Sequence, residues 1–223
     1  IGFGGRGTML LIYQFLAYCG YCAFTNFPQN MASSITGMDG TPVIAQTTIT
    51  LINLFGSLVG YVITYFVVAP RIGRIKSVKK VGMIIGVVAL ACCAGVTLVP
   101  IATMPWLWYI FFGLVLVTTQ LWACFFVTLL IGNWFPRRKG TVMGIVTMAF
   151  PLVTGIGLSL CYGQFYGEIG LQMAMGAQVP DFTLAFIKCF APYWIAGIVA
   201  LIICGIFLKD FPEQCGAFRD NDK

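Results

Sequence analysis

Residues 43–80 read VIAQTTITLINLFGSLVGYVITYFVVAPRIGRIKSVKK. From Val43 to Ala69 no residue carries a charge; then Arg71, Arg74, Lys76, Lys79 and Lys80 fall within ten positions. Roughly 20 apolar residues make a helix long enough to cross the hydrocarbon core of a bilayer. A block of cations directly behind such a run marks a loop kept on the cytoplasmic side. Pro70 stands at the join and stops the run.

Working outward, the same alternation organises the whole chain. Six apolar runs stand at about 9–35, 43–69, 81–99, 106–134, 141–166 and 182–208, and residues 209–223 form a polar tail. Arg6 precedes the first run, Arg137, Arg138 and Lys139 follow the fourth, and Lys209, Arg219 and Lys223 follow the sixth. Of the thirteen Lys and Arg residues, only Lys188 falls on the other side. The expected class is all-α: a multi-pass membrane protein of the plasma (cell inner) membrane, with both termini cytoplasmic.

Composition agrees. The 223 residues are 59% hydrophobic and 9% charged, with a mean hydropathy of +0.92, which excludes an ordinary soluble domain. The net charge of +6 sits beside span ends, where it meets lipid headgroups, so no nucleic-acid partner is expected. Eight of the nine cysteines fall inside spans and Cys215 lies on the tail, which argues against a disulfide framework. The lone Cys19-Gly-Tyr-Cys22 reads as small apolar filler. The chain has no histidine, which removes most zinc, haem and Ser–His chemistry. Neither an enzyme nor a cofactor is expected.

Inside the spans no Asp, Glu, Lys or Arg lies deep, and only uncharged polar stripes remain. Gln14, Tyr18, Tyr21, Thr25 and Gln29 share one helical face, as do Gln46, Thr50, Asn53, Ser57 and Tyr61. The fourth span offers Gln120, Cys124 and Thr128, with Trp122 near mid-depth. Such stripes either line a hydrated cavity or bond neighbouring helices. Amides cannot satisfy themselves within their own helix, so Gln14, Gln29, Asn53 and Gln120 favour the cavity. Gln14, Tyr18, Tyr21, Thr25, Asn53 and Gln120 are the candidate binding residues. Glycine pairs four apart, Gly56/Gly60, Gly82/Gly86, Gly140/Gly144 and Gly163/Gly167, mark close helix approach.

Two loops carry a resemblance. Pro70-Arg71-Ile72-Gly73-Arg74-Ile75-Lys76 resembles the Gly-x-x-x-Asp-Arg-x-Gly-Arg-Arg signature of the major facilitator superfamily, matching at Arg71, Gly73 and Arg74. Phe66, Pro70 and Ile75 depart from it, and Pro70 replaces the Asp that helps hold the cytoplasmic gate. Asn133-Trp134-Phe135-Pro136-Arg137-Arg138-Lys139-Gly140, with Gly144, resembles the loop between helices four and five of the oxalate/formate-antiporter and monocarboxylate-like branches. Asp210-Phe211-Pro212-Glu213-Gln214-Cys215-Gly216 is similar to the start of the family's central loop. The resemblance implies the first six of twelve helices, built as two inverted three-helix repeats. It implies gate roles for Arg71, Gly73, Arg74, Arg137, Arg138 and Gly140, and a cavity lined mainly by the first and fourth helices. It further implies alternating-access transport of a small solute, preferably an organic anion, with a C-terminal half or a second half-size subunit as partner. A complete six-helix channel is the other reading of the residues.

Overall fold

The computed structural model of the chain describes residues 3–32, 34–37 and 41–221, the side chains of 123–125 excepted. Met38-Asp39-Gly40, Lys223 and the side chain of Cys124 therefore lie outside the described residues. Within them the chain is helical, and the one β contact is the isolated bridge between Thr36 and Pro42. The helices are α1 (Gly4–Ala32), α2 (Gln46–Arg74), α3 (Val78–Leu98), α4 (105–134), α5 (Lys139–Ala174) and α6 (Phe182–Phe207). All but α4 are single helices long and apolar enough to cross a membrane. α4 starts as Pro105–Leu121, widens into a π turn at Trp122–Val127 and ends as Thr128–Trp134. The bundle fits a multi-pass membrane protein.

Local chemistry explains the helix ends. Ser77 caps α3 by accepting from the Lys80 N–H, and Asp181 caps α6 by accepting from the Leu184 N–H. Pro105 occupies the first turn of α4, where its missing N–H costs nothing. α5 carries a turn at Met148, three residues before Pro151, which cannot donate to Thr147. Hydropathy ends the fifth run at Tyr166, yet the helix continues to Ala174. Its extension is pinned to the start of α6: Gln172 Oε1 accepts from the Asp181 N–H, and Lys188 pairs with Glu168 at 2.7 Å. Lys188, the one cation away from the basic loops, is thus neutralised by a partner.

Burial is unequal. In its most apolar window α1 is 61% buried within the chain, whereas α2 is 17% buried. α1 lies at the centre, against α6, α5, α4 and α3; α2 leans at the edge on α4. One core cluster gathers Phe24, Phe27, Trp108, Phe112, Phe186 and Phe190; a second, nearer the basic loops, gathers Tyr13, Trp122, Phe126, Trp134 and Phe135. Outside, α2 presents Leu54, Phe55, Tyr65 and Phe66, the last 76% exposed. Such a belt suits lipid or another apolar partner.

Candidate functional site

The polar stripe of α1 runs into the crossing with α4. Gln14 is fully buried there, facing the π turn. Its Nε2 donates to the Val127 carbonyl at 3.4 Å, and its Oε1 finds no partner among the described residues. Two turns onward, Tyr21 is buried and its hydroxyl donates to the Gly86 carbonyl at 3.0 Å. A Cβ at Gly86 would lie 2.9 Å from that oxygen, so the bond depends on glycine. Trp122 fills the space between. Its indole N–H donates to the Tyr13 hydroxyl at 3.3 Å, and its ring centroid lies 5.2 Å from those of both Tyr18 and Tyr21.

Gln14 and Tyr21, expected to face a water-filled cavity, are buried within this chain and point into the bundle. Helical spacing establishes that residues share a face, but not what that face meets. Here it meets α3 and α4. Tyr18 and Thr25 are half-buried, and Thr25 donates to the Cys22 carbonyl of its own helix at 2.9 Å. Asn53 belongs to a separate contact, donating to Gln29 Oε1 at 2.7 Å and so tying α2 to α1. Gln120 is half-buried against Gly60 of α2. Gln14, Tyr18 and Tyr21 are therefore grouped around Trp122, while Asn53 and Gln120 stand apart from them. The freer side of α1 carries Asn26, half-buried, and Asn30, exposed. Sequence reasoning missed both, although two amides four residues apart were a readable signal. It also missed Tyr13, whose neighbours come from another helix.

At the basic end, Arg71, Gly73 and Arg74 lie exposed in the last, tightened turn of α2, and Arg71 bonds back to the Val67 carbonyl. Among the described residues, none comes within 4 Å of a Cβ placed on Gly73 or Gly140. Pro70 leaves the α2–α3 connection without its own carboxylate, and the tail supplies one. Asp210 accepts from Ser77 Oγ at 2.7 Å and from the Lys79 N–H at 2.6 Å. Lys79 Nζ answers by donating to the Gly205 and Leu208 carbonyls. Trp134 and Asn133, at the end of α4, donate to the Lys209 and Asp210 carbonyls. The backbone N–H groups of Arg137 and Arg138 both donate to Asp220, which is buried. The gate candidates are thus split: Arg137 and Arg138 are fastened through their backbone, Arg71 and Arg74 are not. Four of the chain's seven carboxylates lie in its last fourteen residues, the one sequence signal for this contact.

In comparisons with protein families, curated proteins and solved structures, nothing matches this chain.

Proposed function

We propose that the chain is one six-helix half of a secondary transporter of the major facilitator type, moving a small organic anion by alternating access. The observation that carries this reading is the pattern of helix neighbours. Exchanging α1–α3 with α4–α6 turns the α1–α6 contact into α4–α3 and the α2–α4 contact into α5–α1, and it returns α3–α6 and α1–α4 to themselves. All of these contacts are present. Two inverted triplets produce such a pattern. The match is incomplete, since the α5–α6 contact has no α2–α3 counterpart of like extent.

The filled crossing of α1 and α4 favours the half-carrier over the six-helix pore. A pore needs a hydrated path between its helices, and Gln14, Tyr13, Tyr21 and Trp122 are buried at this crossing. The substrate then meets the outer side of α1, at Tyr18, Thr25, Asn26 and Asn30, together with Asn53 and Gln120 of the adjoining helices. A C-terminal half or a second half-size subunit supplies the opposite wall and the cations that pair with the anion. The bilayer surrounds both, with the termini of this chain on the cytoplasmic side.

The test is flux. The native protein, purified from its own membrane and reconstituted into proteoliposomes, is offered labelled mono- and dicarboxylates. Saturable uptake stimulated by unlabelled substrate on the far side is the expected result. Unitary currents, or flux that never saturates, would overturn the carrier reading.

A further inference from the structure

Residues 209–221 cross the basic end of the bundle with part of their apolar surface buried: Pro212 is buried, and Cys215 and Ala217 pack against the second core cluster, whereas the two phenylalanines stay outside. Phe218 is 50% exposed and Phe211 38% exposed. The two ends of the tail are fixed by polar contacts. The near seat is Asp210, fixed by Ser77 Oγ, the Lys79 N–H and the return bonds of Lys79 Nζ. It is also continuous with α6, which ends at Phe207. The far seat is Asp220, whose two carboxylate oxygens each accept one backbone N–H, from Arg137 and Arg138 at 3.1 Å.

The far seat is strained where the near one is not. Asp220 and Asn221 adopt φ values of 53° and 57°, the left-handed region, in succession and without glycine. Such residues persist only where surrounding contacts hold them. Asn221 also abuts the start of α1: a Cβ on Gly4 would lie 2.6 Å from its Oδ1. Between the tail and α1 lies a cavity of about 530 Å³. It is lined by Phe3, Arg6, Trp134, Phe135 and Cys215 among others, so the contact is not tightly filled.

We propose that the tail is a two-seat latch in which Asp220 is the release catch. When Asp220 leaves the α4–α5 loop, residues 211–221 swing away while Asp210 stays in place, and the backbone N–H groups of Arg137 and Arg138 become accessible. The latch controls how the tail is held against that loop, and the inference stands whether the bundle is a carrier half or a pore.

Cys215 is a native reporter, because it sits half-buried in the tail while the other described cysteines lie within the helices. The full chain, in its membrane, is treated with a charged, water-soluble maleimide, and Cys215 labelling is followed by peptide mass spectrometry. Asp220→Asn keeps the shape but removes the charge and leaves one acceptor oxygen in place of two, so one of the two N–H groups loses its partner. It should speed labelling about tenfold, the loss expected when hydrogen bonds to a charged acceptor become neutral. Hydrogen exchange of the Arg137 and Arg138 amides supplies a measurement needing no variant: in the wild-type chain both amides are protected. Unchanged Cys215 labelling in Asp220→Asn overturns the latch, and so does wild-type exchange at those amides as fast as in an unstructured peptide.

Discussion

The glycine pairs of α2 and α3 and those of α5 carry the same sequence signature and meet different surroundings. On α2, a Cβ at Gly56 would lie 3.1 Å from Leu116, and one at Gly60 would lie 2.7 Å from Gln120 Cβ. On α3, Gly82 faces the Phe126 ring and Gly86 faces Tyr21 and Leu201. On α5, Gly140, Gly144, Gly163 and Gly167 face open space. Small residues four apart record that a helix can be approached closely, not which helix comes. In α2 and α3 the approaching elements are α4, α6 and α1 of the same chain. In α5, none of the described residues comes within 4 Å of the Cβ positions of these four glycines.

The difference is sharpest at Gly82. A methyl group there would sit 2.1–2.3 Å from three atoms of the Phe126 ring, and Phe126 is fully buried with no room to swing aside. Gly82→Ala should therefore destabilise the bundle by about 3 kcal/mol, the upper range for overpacking. For a chain of this size that lowers the melting temperature by roughly 10 °C. Thermal unfolding in detergent gives the answer, and a shift under about 2 °C would break the claim that α3 and α4 are in close contact there.

Gly60 tests the edge helix. Its neighbour is the first carbon of the Gln120 side chain, with the Val117 carbonyl at 3.3 Å, so α2 and α4 must separate by a few tenths of an ångström to admit a methyl. Gly60→Ala should cost about 1–2 kcal/mol, less than Gly82→Ala, because α2 is mostly unburied and free to shift. A cost equal to that at Gly82 would mean that α2 is held more firmly than its burial implies.

Both sites show how far the sequence could be read. Apolar run length was legible, because hydropathy needs no tertiary information, and the structure has five helices long and apolar enough to cross a membrane. The glycine spacing located faces. The α1 stripe was legible as a face as well, yet its direction depends on where α3 and α4 pack, so Gln14 and Tyr21 were expected in water and lie in the core. The extension of α5 to Ala174 was hidden because Glu168 and Gln172 look like loop residues until Lys188 and Asp181 meet them. Asp220 was beyond reach for the same reason: its partners stand 82 and 83 residues earlier in the chain.

The smallest effect discriminates most between the two kinds of stripe. At Gly144 nothing meets an added methyl, so Gly144→Ala should stabilise the chain by about 0.5–1 kcal/mol, the ordinary gain of replacing glycine inside a helix. Gly144→Leu should likewise leave the melting temperature of the isolated chain unchanged or slightly raised. In the half-carrier reading the open α5 stripe is where the second half comes close, and a leucine there holds it off. The expected outcome is a chain that melts normally but, reconstituted with its partner half, loses saturable anion uptake. Normal melting with unaltered uptake would mean that α5 faces lipid alone, and the open stripe would then say nothing about a partner. A lowered melting temperature would mean that the stripe is already covered within this chain, and the contrast between α5 and the other helices would fall.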